Sequence, residues 1–457
     1  MQTIVLKLGG TSLTNGFNII PTILNEYKTF YKIILVFSAF SNVTNLLEKN
    51  DLKQVFKIHK EIINKYLTNY KLVAMKKLKY IYDHLKYISK FKKHSHFKQI
   101  LLSYGEKLSV IIYYYYFLEK NVYLSIIWPE YIICTDNNRL NTFPNIKHTQ
   151  NRINKYLVSK LKNNDIIITT GFVGSDKDWN RTIFSRNGSD LSATLIASCL
   201  DSEKIIIYKD VDGIMTSDPR KVKNTKVIPI INYNTLSELS YFGGSILHSK
   251  CLIPLYNTDK IIQIKNIFNE NALGTWIVNG YSSTQKIDAI TSISDNCIFT
   301  IKGKGMNGYT GILYNILSII SSKNINIPFI TQASSEQTIC FCIKKEHCLL
   351  IKNEIEKTFK FELSNKIIER IIIEKNISII TVIGQNMIKQ YGMAGEIFTI
   401  LGNKYYCDWQ IINDQLYVKG PTSIYNDWFA TKDMVAIDIS RNMYYFGRKP
   451  PKDTIIS

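Results

Sequence analysis

Residues Thr3–Ser12 read TIVLKLGGTS, a short apolar run that ends in a lysine, two glycines and two hydroxyl residues. A run that is apolar at consecutive positions is typical of a strand buried on both faces of a parallel sheet. Glycines lack a Cβ, so the backbone N–H groups of Gly9 and Gly10 can approach phosphate oxygens, and Lys7 adds a positive charge. Because the lysine precedes the glycines, this is not a Walker A loop, and taken alone the pattern also fits an ordinary tight turn.

Four further runs of this kind occur before residue 280, and each ends near Gly, Ser, Asp or Asn. They are Ile33–Phe37, Asp165–Thr169, Lys204–Tyr208 and Ile261–Ile264. Together with the helical stretches between them, they predict an α/β domain with a mostly parallel sheet sandwiched by helices. Ligands of such sheets bind beyond the carboxyl ends of the strands, so the polar residues after each run are the candidate site.

The pattern of strand-like and helix-like stretches divides the 457-residue sequence into three segments. Residues 1–285 form the predicted catalytic domain, in which 51–120, free of proline and rich in Lys and Tyr, is a helical insertion. Two shorter βαβ-like patterns follow, at 286–376 and 377–457. The first has strand patterns at 298–301 and 325–330 around a helix at 312–321, and the second has a strand at 377–382 and a helix near 397–401. Two similar modules in tandem predict a duplicated regulatory unit.

The composition argues against several classes of protein. The formal charge is +20, but the lysines are spread along the chain beside abundant Ile, Asn, Tyr and Phe, all with A/T-rich codons. An A/T-rich genome would encode many lysines, so the base composition of the genome accounts for the positive charge. No nucleic-acid partner is therefore predicted. No stretch approaches the roughly 20 consecutive apolar residues of a membrane span, so no membrane association is predicted. The eight cysteines lack CxxC or zinc-ligand spacing, which predicts reduced thiols, a cytoplasmic location and no protein metal site.

Two later motifs combine charged residues with turn formers. Arg186–Asp190 (RNGSD) precedes an apolar helical pattern, so it reads as a helix N-cap and equally as a device that grips a carboxylate, because guanidinium binds carboxylates bidentately. Asp210–Arg220 (DVDGIMTSDPR) follows the fourth apolar run. Three aspartates and an arginine at the end of a strand fit a nucleotide and magnesium site better than a bare turn. Two further motifs are Ser38–Asn45 and Ser103–Glu106, of which the second is predicted to begin a helix. Taken singly, each motif predicts only a structural role.

These five pieces, in this order and spacing, resemble the aspartokinase signature within the amino acid kinase family. The resemblance covers about residues 1–280, and it extends to about 400 with tandem ACT-type regulatory modules. The amino-acid sequence is similar to the kinase half of bifunctional aspartokinase/homoserine dehydrogenases at three segments, Ser185–Asp190, Leu239–Gly243 and Ile330–Glu336. The last hundred residues contain no GxGxxG after a strand, so the dehydrogenase domain is expected to be absent.

The resemblance implies an aspartate kinase that uses ATP and magnesium to phosphorylate the aspartate side chain, with threonine or lysine as an effector and a homo-oligomer formed through the ACT modules. It also implies roles for individual residues. Lys7, Gly9 and Gly10 would contact ATP phosphates, and Asp190 would organise the catalytic lysine and magnesium. The remaining roles are aspartate binding by Thr44, Glu106, Arg186 and Ser189, nucleotide contact by Lys209, Asp210, Met215 and Arg220, and effector binding by Gln332 and Gln415.

Two departures from the family pattern leave alternatives open. Ser245 stands where the family carries an ATP-binding lysine, and Lys209, at a position where threonine is common, or Lys250 would have to replace it. The sequence after about Asn403 no longer follows the second module closely. The competing hypotheses are a related kinase of acetylglutamate, glutamate, carbamate or UMP, and a catalytically weakened regulator that binds amino acids.

Overall fold

The computed structural model describes residues 1–91, 97–138, 140–185, 187–244, 246–256, 258–333, 336–387, 392–393 and 395–397, and four short strands beyond them. The chain divides into two compact units. The first comprises Met1–Thr216, Asn224–Ser240 and Ser245–Ser282, and the second comprises Ser217–Lys223, Tyr241–Gly244 and Ser283–Ser457. The main change of unit, at Ser282, lies close to the predicted boundary at residue 285, and the finer domain division stays a prediction.

The part of the chain before Ser283 alternates strands with helices. Its strands are β1 (Gln2–Leu8), β2 (Tyr31–Phe37), β3 (Ser125–Ile126), β4 (Ile166–Thr170), β5 (Val173–Ser175), β6 (Arg181–Ile183), β7 (Lys204–Lys209), β8 (Ile230–Ile231), β9 (Ile261–Asn266) and β10 (Thr275–Ile277). Its helices are α1 (Gly10–Asn15), α2 (Ile20–Lys28), α3 (Val43–Glu48), α4 (Leu52–Tyr66), α5 (Lys71–Ile88), α6 (Phe97–Glu119), α7 (Ile146–Arg152), α8 (Ser159–Leu161), α9 (Gly188–Leu200) and α10 (Tyr233–Tyr241). A π-helical segment, Ile153–Val158, joins α7 to α8.

Eight of these strands form one sheet in the order β3-β4-β2-β1-β7-β9-β10-β8. Its neighbouring strands run parallel except β9 and β10, so the predicted mostly parallel sheet is confirmed. The register aligns the carboxyl ends of the four central strands. Leu8 of β1 lies opposite Phe37 of β2 and Tyr208 of β7, and Phe37 lies opposite Thr170 of β4. The residues that follow these four strands are therefore brought to one edge of the sheet.

Helices α4, α5 and α6 occupy the stretch that the sequence predicted to be helical. Helix α6 begins at Phe97, six residues before the start that the Ser103–Glu106 motif suggested, so this motif lies inside the helix. Gly105 is needed there because a Cβ would lie 3.1 Å from Leu47 Cδ1 and 3.2 Å from Ala39 Cβ. Close packing of α6 against α3 and the end of β2 fixes the position of the adjacent Glu106.

The second unit contains a six-stranded sheet in the order β12-β13-β11-β14-β17-β18. Its elements are β11 (Ala289–Lys302), α11 (Ile312–Ser322), β12 (Ile330–Gln332), β13 (Thr338–Lys344), α12 (Cys348–Thr358), α13 (Lys360–Ser364), β14 (Arg370–Ile383), β15 (Asp408–Ile412), β16 (Gln415–Lys419), β17 (Ala436–Ile437) and β18 (Met443–Tyr444). Strands β11, β13 and β14 pair antiparallel, and α11 and α12 pack on their apolar residues, including Phe299 and Phe341.

Several predictions for the second unit need adjustment. The strand predicted at 325–330 is wrong for most of its length, because β12 begins only at Ile330. Strand β14 includes residues 376 and 377, between which the sequence suggested a boundary, and its pairing with β11 shifts register there, with Asn376 at φ of 61°. The boundary itself stays a prediction. Gln332 lies exposed at the end of β12, and Gln415 begins β16 opposite Ile412. The helix predicted near 397–401 lies largely outside the described residues.

Within the described residues, no helix combines the length and apolar character that crossing a membrane would require.

We expect His59 to make the protein acid-sensitive. This α4 side chain is fully buried, its Nδ1 lies 2.7 Å from the Val55 carbonyl oxygen, and its Nε2 has no hydrogen-bond partner among the described residues. Burial lowers the pKa of His59 from 6.5 to about 4. Below pH 6.5 the unfolded chain therefore binds a proton that the folded chain excludes, and stability falls as the pH falls toward 4.

The expected contribution of His59 is a loss of about 2 kcal/mol of unfolding free energy between pH 8 and pH 5. Urea denaturation of the wild type and of His59→Leu at both pH values measures it. The other titrating groups are shared by the two proteins and cancel in the comparison. Equal pH dependence in both would contradict the prediction.

Candidate active site

The carboxyl ends of β4, β2, β1 and β7 meet at one edge of the sheet, and the residues after them enclose a cleft of 560 Å³. Such a volume suits a small-molecule site. Of the sequence-predicted site residues, the cleft is lined by Lys7, Gly9, Gly10, Thr44, Glu106, Ser189, Lys209 and Asp210. The sequence therefore located the cleft through pieces of chain that are far apart in the primary structure.

At the centre of this edge, Asp190 binds two lysines that come from neighbouring strands. Lys7 Nζ of β1 lies 2.5 Å from Asp190 Oδ1, and Lys209 Nζ of β7 lies 2.9 Å from Asp190 Oδ2. The Asp190 side chain is 1% exposed, whereas that of Lys209 is 19% exposed. We call Lys7, Asp190 and Lys209 the lysine–aspartate triad.

The Asp190 carboxylate attracts both ammonium groups, whereas the two ammonium groups repel each other. Burial would raise the pKa of Asp190, but the ammonium groups of Lys209 and Lys7 outweigh it, so this pKa is lowered. Burial lowers the pKa of Lys7, against the attraction of Asp190, and the nearby Lys209 charge lowers it further. With one carboxylate between two ammonium groups, the triad carries one positive charge and is suited to receive an anion.

Backbone geometry at two loops holds Asp190 at this position. Asn187 precedes α9 with φ of 65° and places Asp190 in the first turn of the helix. Gly171, directly after β4, packs against that turn so closely that a Cβ would lie 2.5 Å from Ser189 Cα. A Cβ on Gly10 would lie 2.9 Å from the Ala39 carbonyl oxygen. Both glycines therefore permit contacts between strand ends that any side chain would prevent.

Glu106 lies on the α6 side of the cleft and is 6% exposed. The backbone N–H groups of Gly171 and Ala39 donate hydrogen bonds to its carboxylate, whereas its Oε2 atom has no hydrogen-bond partner among the described residues. Burial raises the pKa of Glu106 well above its usual range, although the Lys7 charge partly opposes this shift. A buried carboxylate with a free oxygen is suited to receive a cationic group.

Serine hydroxyl groups connect the part of α6 around Glu106 to α9. Ser38 Oγ lies 2.7 Å from Ser189 Oγ, and Ser109 Oγ donates to the Ser38 carbonyl oxygen at 2.6 Å. Ser109 also donates to the Glu106 carbonyl oxygen at 2.8 Å. The end of β2 is thus tied to both α6, which carries Glu106, and α9, which carries Asp190.

Sequence reasoning did not identify Lys98, Glu48 and Phe172, which also line the cleft. Lys98, Leu102 and Glu106 are spaced four residues apart on α6, so they share one helix face. The exposed Lys98 lies at the rim, and the buried Glu106 lies deeper. A helix predicted to begin at Ser103 does not contain Lys98. A helix that begins at Phe97 does contain it and would have placed it on the same face as Glu106.

Other predicted residues lie elsewhere or are not described. Arg186 and Ser245 fall outside the described residues. Met215 forms a β-bridge with Val227, and Arg220 makes an exposed ion pair with Asp218, 2.9 Å between Nη2 and Oδ2, in the segment that belongs to the second unit. Asp212 accepts hydrogen bonds from the Asn266 and Asn269 side chains at 2.7 and 3.0 Å. Of the three aspartates in this motif, only Asp210 lines the cleft.

Lys250, which the sequence offered as an alternative to Lys209, and the neighbouring His248 make other contacts. The Lys250 ammonium lies 5.0 Å from the centroid of the Phe143 ring, and Lys250 is not among the described residues that line the cleft. His248 Nδ1 accepts a hydrogen bond from the Lys250 backbone N–H at 3.1 Å, which is a structural contact.

Comparison with known proteins agrees with this geometry. The sequence model of the amino acid kinase family matches residues 2–266, which is more than half of the chain, and an ACT domain model matches residues 299–359. The chain belongs to the amino acid kinase family. The predicted family is thereby confirmed, as is an ACT domain after it.

Two relatives are bifunctional aspartokinase/homoserine dehydrogenases. That of Buchnera aphidicola is 32% identical over 423 residues, which cover 87% of this chain and 52% of the relative. That of Haemophilus influenzae is 31% identical over 299 residues, which cover 65% of this chain and 36% of the relative. The chain therefore spans about half or less of the length of these relatives.

Two solved structures share the fold. Aspartokinase III of E. coli, crystallised with aspartate and ADP, superposes with a TM-score of 0.76 at 21% identity over 90% of this chain and 93% of that chain. Aspartate kinase of Clostridium acetobutylicum gives a TM-score of 0.69 at 23% identity with the same coverage of each chain. At these identities the likeness establishes the arrangement of strands and helices.

Proposed function

We propose that this protein is an aspartate kinase that transfers the γ-phosphoryl group of ATP to the side-chain carboxylate of aspartate. The observation that carries this proposal is the lysine–aspartate triad beside the buried Glu106 at the ends of four parallel strands. The triad offers positive charge for phosphate, and Glu106 offers a carboxylate for the amino group of an amino acid. The relatives named as aspartokinases and the E. coli structure crystallised with aspartate and ADP support the same choice of substrates.

In the proposed reaction, an oxygen of the aspartate β-carboxylate forms a bond to the γ-phosphorus. The bond from that phosphorus to the β,γ-bridging oxygen breaks, and its electron pair leaves with ADP. The carboxylate is already ionised at neutral pH, so no proton is transferred and no general base is required. The protein has to hold two anions in line and neutralise their charge. Lys7 does this at the phosphoryl group, and Asp190 positions Lys7.

The other cleft residues then take roles that match their chemistry. Gly9 and Gly10 would let backbone N–H groups approach the phosphates, and Lys209 and Asp210 would contact the nucleotide. Thr44, Ser189 and Glu106 bind the amino acid, together with Arg186 on sequence grounds. Met215 and Arg220 remain nucleotide contacts only by the sequence resemblance, because neither lines the cleft that the described residues form.

Magnesium would be held mainly by the nucleotide. No group of three or more His, Cys, Asp or Glu side chains among the described residues could hold a metal ion. Mg²⁺ needs no protein cage, since it commonly binds through one or two carboxylates and the substrate phosphates. Asp210 is exposed at the cleft and fits as that carboxylate, whereas both Asp190 oxygens already contact lysines. When bound, the ion would neutralise phosphate charge.

The direct test is magnesium-dependent release of ADP from ATP by the purified full chain. We expect release to require aspartate and to saturate with it. Acetylglutamate, glutamate, carbamate and UMP are assayed in parallel, so a preference for one of them would replace aspartate as the substrate. No stimulation by any of the five would favour the alternative of a regulator that binds amino acids without catalysis.

We further propose that the second unit is regulatory, with threonine or lysine as effector, Gln332 and Gln415 as contacts, and pairing of ACT modules between copies of the chain. The ACT domain match at residues 299–359 supports this, as does the E. coli structure in complex with lysine. A cytoplasmic location is consistent with seven buried free cysteines among the described residues. Turnover measured with and without threonine and lysine identifies the effector.

We expect Glu106→Gln to lower kcat/KM for aspartate by about 30-fold or more, mostly through KM, because the substrate amino group loses a buried charged partner. In the wild type, protonation of Glu106 has the same effect. Its raised pKa means that KM for aspartate rises as the pH falls through a range well above the ordinary carboxyl pKa. Initial rates between pH 5 and 8 measure both effects.

The variant itself should lack this rise in KM at low pH. Glu119→Gln, on the same helix, is the matched control, since Glu119 accepts hydrogen bonds from the backbone N–H groups of Thr68 and Tyr70 at 2.7 and 2.9 Å. An aspartate KM that is unchanged in Glu106→Gln would contradict the assignment.

A further inference from the structure

Lys209 is a second cation on the Asp190 carboxylate. Lys7 Nζ contacts one carboxylate oxygen at 2.5 Å, and Lys209 Nζ contacts the other at 2.9 Å. The two ammonium groups are close enough that the Lys209 charge lowers the pKa of Lys7. A pair of neighbouring cations at the edge of a cleft is suited to bind an anion between them.

The position of Lys209 gives it access to such an anion. It is the last residue of β7, next to β1 in the sheet, and it lines the cleft. Its side chain is 19% exposed, compared with 4% for Lys7, so it can exchange Asp190 for a ligand with little rearrangement.

The other candidate lysines are less suited to this role. Lys250 lies over the Phe143 ring, and it is not among the described residues that line the cleft. Lys98 lines the cleft but lies exposed on α6, at the rim. Of the lysines that the described residues contribute to the cleft, only Lys7 and Lys209 contact Asp190. The sequence left open whether Lys209 or Lys250 replaces the lysine that the family carries at the position of Ser245. These contacts favour Lys209.

We propose that Lys209 is a second catalytic residue, which moves from Asp190 Oδ2 to the transferring phosphoryl group and shares its negative charge with Lys7. This inference rests on the proposed kinase activity. No proton is transferred in this movement, and only the hydrogen-bond partner of Lys209 changes. Two cations from adjacent strands would then stabilise the phosphoryl group from two sides, with Asp190 keeping both in place before the nucleotide binds.

The experiment starts from Lys209→Met in the full chain. We expect kcat to fall by about 10²–10³-fold, the usual effect of removing one preorganised charge donor, with the dissociation constant of ADP changed by less than about threefold. ADP binding, followed by titration calorimetry, shows that the site is intact. Lys250→Met is the matched control, with a kcat within about twofold of the wild type.

Restoring the charge chemically separates catalysis from structure. Lys209→Cys treated with 2-bromoethylamine carries an ammonium group at nearly the original distance, and we expect it to regain at least about a tenth of the wild-type kcat. The same variant treated with iodoacetamide carries a neutral adduct and should stay inactive. The seven cysteines described in the structure are buried, and wild type treated in the same way controls for reaction at any other thiol.

The outcomes are distinct. A wild type without turnover of aspartate overturns the proposed function and this inference with it. An active wild type with a Lys209→Met kcat within about threefold of normal overturns this inference alone. Failure of the ammonium adduct to restore turnover while ADP still binds also overturns it, because a charge at this position would then not be what catalysis requires.

Discussion

Asp190→Asn is expected to abolish measurable turnover, with a fall in kcat of about 10³-fold or more, because Lys7 and Lys209 lose their common anchor together. Stability should fall as well, by about 3–5 kcal/mol, since the buried Lys7 ammonium and the partly buried Lys209 ammonium are left without a carboxylate. The Asp190 side chain is only 1% exposed, so water cannot replace it. Steady-state kinetics and urea denaturation measure the two effects.

The pH dependence of Asp190→Asn identifies the cause. Without the carboxylate, the pKa of a buried lysine drops further, whereas in the unfolded chain it keeps its ordinary value. From neutral pH upward the folded variant therefore releases a proton before the unfolded one does, and its stability rises with pH more steeply than that of the wild type. Asp212→Asn, whose aspartate is held by neutral asparagine side chains, is the control and should remain active. A flat stability profile would argue against the triad.

Lys7→Met is expected to lower kcat by about 10²–10³-fold while the fold is retained. Asp190 keeps Lys209 as a partner in this variant, so no buried carboxylate is left alone. The effect should be on kcat more than on KM for aspartate, because Lys7 acts on the phosphoryl group. ADP release at saturating ATP and aspartate measures it.

The matched control for Lys7 is Lys204→Met. Lys204 begins β7, away from the carboxyl end that lines the cleft, and its ammonium lies 5.3 Å from the centroid of the Tyr31 ring. It should turn over aspartate like the wild type. A Lys7→Met kcat within about tenfold of normal would mean that the phosphoryl group is neutralised elsewhere.

The central part of the fold was predictable because parallel strands are apolar on both faces. The runs that end at Leu8, Phe37, Thr169, Tyr208 and Ile264 correspond to β1, β2, β4, β7 and β9. Strands of two or three residues, such as β3, β5 and β8, gave no comparable pattern, because their pairing depends on neighbours that are distant in the sequence. The start of β12 was misplaced for a related reason, since Ile325–Phe329 is apolar enough to resemble a strand but precedes β12, which begins at Ile330.

The site was predictable to the level of loops but not to the level of side-chain partners. Residues that follow parallel strands share one edge, which brought Gly9, Asp190 and Asp210 into one hypothesis. The sequence could not tell that Lys209, and not Lys250, contacts Asp190, because the direction of a side chain depends on packing from other segments. Nor could it tell that Asp212 is held by Asn266 and Asn269.

The order of strands in the larger sheet has a consequence for biosynthesis. Strand β1 has one sheet neighbour that follows within about thirty residues and another, β7, that begins only at Lys204 and is therefore synthesised much later. Until β7 emerges, one side of β1 carries unpaired backbone N–H and C=O groups. A nascent or truncated chain that stops earlier exposes this edge to other polypeptides, and protection by chaperones matters most during that interval.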